Sequence, residues 1–297
     1  MRRRFVTLDV FTQTRFAGNP LAVVLESDGL DGHAMQAIAR EFNLPETVFV
    51  MQPANQNHRA MLRIFTPRAE LPFAGHPTVG TAVLFGCMSG YNLGVHDLVL
   101  EETIGPVGCT VEAQGRDHGR AHFVLPRLPE RARGAVSPQE AATALSLKDD
   151  ETGFGTPSRW SAGVPAHFIP VRDLDAIGRA APAASFESVF GREGPALVYL
   201  YCGETTEPDH HFHARMFAPA LGIPEDPATG AAAAAFAGVV MEVAHPGDGR
   251  HRLVIEQGYE MGRPSRIELG MTVTGGALTG ATIGGEAVIV SEGHIEA

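Results

Sequence analysis

Cysteine and long apolar runs are both scarce in this chain of 297 residues. Its three cysteines, Cys87, Cys109 and Cys202, are isolated and odd in number, which argues against a disulfide framework and favours a reducing compartment. The longest apolar stretch, 231–243, is too short to span a bilayer. The basic start, 2–4, leads into an alternating strand pattern instead of a signal-peptide core. We therefore expect a cytoplasmic protein that does not engage a membrane.

Positive charge is also scarce. The chain has 23 Lys and Arg against 34 Asp and Glu, a net charge of −11, and its basic residues are scattered, which argues against nucleic-acid binding. The length exceeds the usual size of a single core, so two domains are expected. We predict an N-terminal lobe at 1–120 and a C-terminal lobe at 121–283, with the last strand, 284–297, crossing back to the first lobe.

One sequence pattern occurs twice, about half a chain apart. The first copy runs from Arg63-Ile-Phe-Thr-Pro67 to Gly75-His76-Pro77-Thr78, and the second from Arg215-Met-Phe-Ala-Pro219 to Asp226-Pro227-Ala228-Thr229-Gly230. Each copy predicts a short strand, a turn with proline and a helix that begins at a proline and is rich in small residues. The repeat therefore predicts two similar lobes that face one another.

His76 and Asp226 precede the proline in the two copies, so two ionisable groups are expected at equivalent helix entrances. A helix N-terminus favours an anion, and two of them facing one cleft would favour a small carboxylate or enolate. The alternative is that both residues are helix N-caps, a role in which Asp is common and His is not.

Glu46 is the third candidate, in a segment where a helix ends and the apolar strand 47–51 begins. Partial burial of its carboxylate would suit general acid and base chemistry. The alternative is an ordinary loop glutamate in solvent.

The remaining pattern predicts helices at 32–42 and near 138–145, a link at 126–138, and twelve strands. The strands are expected at 5–11, 21–25, 47–51, 60–65, 98–102, 107–112, 165–171, 196–201, 251–257, 265–269, 271–275 and 286–291. Gly275-Gly276 and Gly284-Gly285 are predicted to be hairpin turns. The segment 209–213 could be a metal cluster, but strand alternation would place His211 and His213 on one face and His210 on the other, which favours a histidine patch on a sheet.

With these residues in view, the chain resembles the PhzF family of phenazine-biosynthesis-like isomerases. The segments that carry the resemblance run nearly from end to end, and two of them are the site motifs of the family. They are Phe16-Ala17-Gly18-Asn19-Pro20, Leu44-Pro45-Glu46-Thr47-Val48, Glu70-Leu71-Pro72-Phe73-Ala74-Gly75-His76-Pro77-Thr78, Glu225-Asp226-Pro227-Ala228-Thr229-Gly230 and Glu256-Gln257-Gly258.

The resemblance implies an α+β fold like that of diaminopimelate epimerase, with two pseudo-symmetric lobes, each a mixed sheet curled around a central helix. It implies isomerisation of a dihydro-hydroxyanthranilate by proton transfer, without metal or organic cofactor, in a homodimer. Glu46 would be the acid and base, and His76 and Asp226 would orient and polarise the substrate. Backbone amides around Gly75 and Gly230 would hold the substrate carboxylate, and the substrate-binding residues would be Asn19, Gly75, Pro77, Gly230 and Ala231.

Two alternatives follow from the same resemblance. A cofactor-independent amino-acid racemase or epimerase of this fold would place a cysteine at each helix entrance, where this chain has His76 and Asp226. A non-catalytic member would bind a small acid or a protein partner, although it would not need a base such as Glu46. The chain also departs from the family pattern, because Ala231 stands where many relatives carry serine, so that only the backbone amide remains there.

Overall fold

The structure is a computed structural model that describes residues 1–88 and 94–297. The chain forms two compact units, Met1–Val124 with Gly284–Ala297, and Leu125–Ile283. Within the described ranges, every helix is too short or too polar to cross a membrane.

In its described residues the first unit holds eight strands and two long helices, and the end of the last strand of the chain joins them. Its elements are β1 Arg2–Val10, β2 Asn19–Val24, α1 Gly32–Phe42, β3 Glu46–Met51, β4 Ala60–Phe65, β5 Glu70–Leu71, α2 Gly75–Met88, β6 Gly94–Glu102, β7 Gly105–Ala113 and β8 His118–Val124. The bounds predicted for α1 and β4 are confirmed. Asp31 caps α1 by accepting a hydrogen bond from the amide of Ala34, and Asn43 ends it in the left-handed region.

The second unit holds nine strands and four helices. Its elements are β9 Glu130–Arg131, α3 Pro138–Ala144, β10 Ser158–Ser161, β11 Pro165–Pro170, α4 Leu174–Arg179, α5 Phe186–Phe190, β12 Val198–Cys202, β13 Phe212–Ala218, β14 Ile223–Asp226, α6 Gly230–Ala244, β15 Gly249–Gln257, β16 Ser265–Thr274 and β17 Ala277–Glu296. The part of β17 from Gly284 onward belongs to the first unit, where it pairs antiparallel with β1.

The two units repeat one strand topology. In the first, β2 is parallel to β3, β3 is antiparallel to β4, and β4 pairs antiparallel with β5 and parallel with β6. In the second, β11, β12, β13, β14 and β15 pair in the same order and directions. The repeated motif is therefore one part of a longer duplicated supersecondary structure.

An arginine and a glutamate hold each copy together at its turn. Arg63 on β4 forms two hydrogen bonds of 2.7 Å with Glu70, and Arg215 on β13 forms two of 2.8 and 2.9 Å with Glu225. Two parallel N–H donors against one carboxylate fix both angle and register, so this pair fastens the turn that leads to each central helix.

A second glutamate fastens a loop in each copy. Glu101 accepts hydrogen bonds from the amides of 54 and 55 and contacts Nδ1 of His58 at 2.8 Å. Glu256 accepts from the amides of 206 and 207 and contacts Nδ1 of His210 at 2.8 Å. The register places Glu101 opposite Met61 and Glu256 opposite His213. Met61 and His213 each lie two residues before the arginine of their copy, so the two glutamates are equivalent.

The central helices α2 and α6 are apolar around most of their circumference and buried over most of their length. Small residues allow strands to approach them closely. A Cβ on Gly80 of α2 would lie 2.7 Å from side-chain atoms of Leu21 and Val10, and a Cβ on Gly238 of α6 would lie 2.3 Å from the ring of Trp160. Each unit therefore packs its sheet around its own buried helix.

Two predictions were wrong, one of a pair of strands and one of a turn. The segments 265–269 and 271–275 are one continuous strand, β16, because β15 pairs with it across nine residues and carries it through Gly270. Gly284-Gly285 is not a turn but lies inside β17. The turn at Gly275-Gly276 is confirmed, since both residues have positive φ, +60° and +74°, between β16 and β17.

Candidate active site

Glu46 and His76 meet in the first unit where two parallel strands begin. Glu46 is the first residue of β3 and stands opposite Leu21 of β2, the residue that follows Pro20. His76 comes from the first turn of the central helix α2. Nε2 of His76 lies 3.3 Å from Oε2 of Glu46, and the two side chains are 5% and 12% exposed. Glu46 is therefore not a loop residue in open solvent, and its partial burial is confirmed.

The imidazole of His76 is neutral, because burial lowers its pKa to about 3. It hydrogen bonds to the backbone of Pro20, which offers only a carbonyl acceptor. Nε2 takes no part in that bond, so the ring N–H is at Nδ1. The lone pair of Nε2 therefore faces the carboxyl group of Glu46 and can accept a proton or a hydrogen bond from it.

The second unit has no carboxylate at the position equivalent to Glu46. Phe49 of β3 stands opposite Arg63, and Leu200 of β12 stands opposite Arg215. Glu46 lies three residues before Phe49, and Leu197 lies three residues before Leu200. Leu197 is buried, and its neighbours in the sequence are apolar. The duplication thus carries one carboxylate at this position instead of two.

Asp226 ends the short strand β14 and is not the N-cap of α6, a role that falls to Thr229. Its Oδ2 accepts a hydrogen bond of 2.6 Å from the Thr229 hydroxyl, and its carbonyl accepts one of 2.7 Å from Nε2 of Gln257. Nε2 of Gln257 also donates to the Thr229 hydroxyl at 2.9 Å. These contacts keep the segment after Pro227 out of the helix, so α6 begins at Gly230, whereas in the first copy α2 already includes His76.

Tyr199 on β12 was missed by sequence reasoning. It is fully buried, and within the described part of the chain its hydroxyl has no hydrogen-bond partner. Burial and the charge of Asp226 raise the pKa of this hydroxyl. Both Tyr199 and Asp226 stand opposite Met216 of β13, on its two sides. No local pattern marks Tyr199, because its neighbours in the sequence are apolar.

The other predicted residues lie at the starts of α2, α6 and β2. Gly75 and Pro77 share the buried first turn of α2 with His76, and Gly230 and Ala231 begin α6. Asn19 is buried at the start of β2. Its segment, Ala17-Gly18-Asn19-Pro20, has a counterpart in Ala162-Gly163-Val164-Pro165 before β11, which extends the repeat beyond the part recognised in the sequence.

The histidines near residue 210 form an ion cluster. The placement predicted for His210 was wrong, because it lies in the turn before β13 and shares the carboxylate of Glu256 with His213. Nε2 of His213 lies 3.0 Å from Glu260. Within 1–88 and 94–297, no group of three or more His, Cys, Asp or Glu has the arrangement of a metal site.

None of the three cysteines stands at a helix entrance. Cys87 is near the end of α2, Cys109 is on β7 and Cys202 ends β12. Burial raises the pKa of the Cys109 and Cys202 thiols to about 12 and that of Cys87 to about 11, so all three stay protonated at neutral pH and provide no thiolate. A two-thiol racemase site is therefore absent.

Comparison with known proteins identifies the family of this chain. The family model described as phenazine biosynthesis-like protein matches residues 8–293. The chain belongs to this family. It is 50% identical to an uncharacterized isomerase of Mesorhizobium japonicum, over 99% of this chain and 98% of that protein. It is 34% identical to trans-2,3-dihydro-3-hydroxyanthranilate isomerase of Pseudomonas aeruginosa, over 98% of each chain.

Among solved structures, the PhzF-family phenazine biosynthesis protein of Bacillus anthracis shares the fold with a TM-score of 0.89 and 27% identity, over all of both chains. The predicted α+β fold of the diaminopimelate-epimerase type is confirmed, and at the level of the family this PhzF protein is an isomerase.

Proposed function

We propose that this protein is a cofactor-independent isomerase that moves a carbon-bound proton within a small cyclic carboxylate, such as trans-2,3-dihydro-3-hydroxyanthranilate. The observation that carries the proposal is the pairing of Glu46 with a neutral His76 whose Nε2 lone pair faces the carboxyl group. The substrate class comes from the name of the Pseudomonas relative.

In this reaction Glu46 takes a proton from one ring carbon, and the electron pair of the C–H bond moves into the conjugated system of the substrate. The proton then sits on Glu46 as a carboxylic acid, and the facing Nε2 of His76 accepts a hydrogen bond from it. The same proton returns to another ring carbon and forms the new C–H bond. Neither an oxidant nor a second base is needed.

Charge in the intermediate spreads toward the carboxylate of the substrate, where backbone amides can stabilise it. The first turn of α2 at Gly75 supplies such amides in the first unit, and that of α6 at Gly230 supplies them in the second, each with the positive end of a helix. Asp226, held by Thr229, is proposed to orient the amino or hydroxyl group of the substrate.

The test is to incubate wild type and Glu46→Gln with trans-2,3-dihydro-3-hydroxyanthranilate in deuterated water and to follow both by NMR. We expect Glu46→Gln to lose roughly 10²- to 10⁴-fold in rate, the usual contribution of a general base. Glu41→Gln, an exposed change on α1, is the matched control and should behave like wild type.

Equal rates in wild type and Glu46→Gln would remove Glu46 as the base. A wild type that neither converts nor deuterates the compound would remove this substrate. A protein that binds it without exchange would be the non-catalytic member of the family described above.

A further inference from the structure

Glu102 ends β6 as a buried carboxyl group that contacts the start of α2. Glu102 is 6% exposed, and its Oε1 lies 2.7 Å from the hydroxyl oxygen of Thr78, which is fully buried. Thr78 is two residues after His76 in the first turns of the helix. A contact at this point connects the end of a strand to the segment that carries the candidate site.

The hydroxyl of Thr78 has two close oxygen neighbours but only one hydrogen. Its Oγ1 lies 2.8 Å from the carbonyl of Ala74 as well as 2.7 Å from Glu102. The carbonyl can only accept a hydrogen bond. If the hydroxyl donates to Ala74, Oγ1 must accept from Glu102, and the carboxyl group must then carry a proton.

The other oxygen of Glu102 supports the same assignment. Oε2 is buried, and no described group hydrogen bonds to it. An ionised carboxylate would therefore keep a charged oxygen without a partner in a dry site, which is far costlier than a neutral acid. Burial raises the pKa of Glu102 to about 8, against the smaller opposing effect of its hydrogen bond with Thr78.

The second copy of the repeat carries a neutral donor at the equivalent place. Glu102 follows Glu101 on β6, as Gln257 follows Glu256 on β15. The amide of Gln257 donates to the hydroxyl of Thr229 at 2.9 Å. The Thr229 hydroxyl donates its own hydrogen bond to Asp226, as the Thr78 hydroxyl does to the carbonyl of Ala74 when Glu102 is protonated.

We infer that Glu102 is a positioning residue that works as a neutral carboxylic acid, donating its proton to Thr78 and so fixing the turn that carries His76. Its neutrality also keeps negative charge away from the helix entrance where the substrate carboxylate is proposed to bind. Ionisation of Glu102 in alkaline solution breaks both arrangements at once.

Neighbouring groups do not titrate in the same range. Burial and the charge of Glu102 raise the thiol pKa of Cys109 on β7 to about 12, and burial lowers the pKa of His76 on α2 to about 3. Thr78 itself does not ionise. A change in this region near pH 8 therefore belongs to Glu102.

The first experiment is infrared difference spectroscopy of wild type against Glu102→Gln at neutral pH. We expect wild type to show the C=O stretching band of a protonated carboxyl group, shifted in deuterated water and lost in Glu102→Gln. The band should persist in Glu112→Gln, an exposed change on β7, and disappear from wild type as the pH rises through about 8. Absence of the band from wild type at neutral pH would overturn the inference, even if Glu102→Gln did not fold.

The second experiment measures KM and kcat against pH, and it rests on the proposed function, whereas the infrared measurement does not. In wild type KM should rise about tenfold per pH unit above the pKa, as expected when one ionisation abolishes binding. In Glu102→Gln, which mimics Gln257, KM should stay flat with kcat little changed. The same alkaline rise in both proteins would refute the positioning role. If wild type never turns over, the proposed substrate fails, and the infrared band still decides the state of Glu102.

Discussion

Nε2 of His76 lies 3.3 Å from Oε2 of Glu46, while the other ring nitrogen donates to the carbonyl of Pro20. The hydrogen bond to the Pro20 carbonyl thus fixes the tautomer of His76. In this tautomer Nε2 is the nitrogen that can accept a hydrogen bond from a protonated Glu46. The helix entrance thus offers an acceptor nitrogen as well as backbone amides.

We predict that His76 stays neutral, with its proton on Nδ1, from mildly acidic to mildly alkaline solution, because burial lowers its pKa to about 3. The measurement is ¹⁵N NMR of the labelled protein, with His76→Gln used to assign the signals. Two unlike nitrogen shifts that do not move with pH are expected. Shifts typical of an imidazolium at neutral pH would contradict the tautomer and the proposed proton path.

The repeated arginine pair offers a matched test of burial. Arg215 is 9% exposed in its side chain and also donates to the carbonyls of Ile177 and Ala180, whereas Arg63 is 28% exposed. Arg215→Met should lower the free energy of unfolding by about 3 to 5 kcal/mol, because it leaves a carboxylate and two carbonyls without their donor. Arg63→Met should cost about 1 kcal/mol or less. Urea titration of both variants decides this, and equal losses would show that burial does not set the difference.

Close packing of α6 against Trp160 gives a prediction for Gly238. Gly238→Ala would bring a Cβ to 2.3 Å from the indole ring, so the free energy of unfolding should fall by about 1 to 3 kcal/mol. Gly178→Ala on α4 is the control, because its Cβ would meet no atom within 4 Å, and stability should be unchanged or slightly higher. Trp160 is the one tryptophan of the sequence, so its fluorescence reports the disturbance directly. An undisturbed Gly238→Ala spectrum with full stability would show that the ring can move aside.

The cluster around His213 predicts a loss of stability in alkali. Burial alone would lower the pKa of His213, but hydrogen bonds with Glu256 and Glu260 outweigh it and raise the pKa to about 9. A raised pKa in the folded state stabilises the protein fully below the ordinary value of 6.5, and this contribution disappears as the pH rises to about 9. The difference in unfolding free energy between wild type and His213→Gln should therefore shrink across that interval. A constant difference would mean that His213 is not charged in the folded protein.

The same cluster predicts an acid limit. Burial would raise the pKa of Glu256, but its hydrogen bonds with His213 and with the amides of 206 and 207 lower it to about 2. A lowered pKa stabilises the fold above the ordinary value of 4.5, and the contribution is lost as the pH falls toward 2. Glu256→Gln should be less stable than wild type at neutral pH and approach it in acid, as measured by urea unfolding at each pH. A gap that stays constant would contradict the ion cluster.

Local patterns were sufficient where the structure is decided locally. The bounds of helix α1 were predicted from its apolar spacing, and the structure adds a cap at Asp31 and a left-handed end at Asn43 that set the same bounds. The two-strand prediction for 265–275 failed because pairing with β15 carries one strand through Gly270. Hydrogen bonds between distant residues decide such cases, and periodicity does not contain them.

The candidate site shows the same division. Glu46, His76 and Asp226 were found from motifs, but the support beneath them was not. Glu102 and Gln257 lie 24 and 28 residues after the threonines that they hold, and no spacing rule connects them. Aligning the two copies of the repeat would have paired these two residues and revealed their common position.

The unequal duplication at Glu46 and Leu197 has a stereochemical consequence. A protein with a base on each side of its substrate removes a proton from one face and adds it to the other, which inverts a centre. With one carboxylate, the proton in the proposed reaction leaves and returns on the same face of the ring. The proposed transfer is therefore suprafacial, and the side of the ring that Glu46 faces sets the configuration of the product.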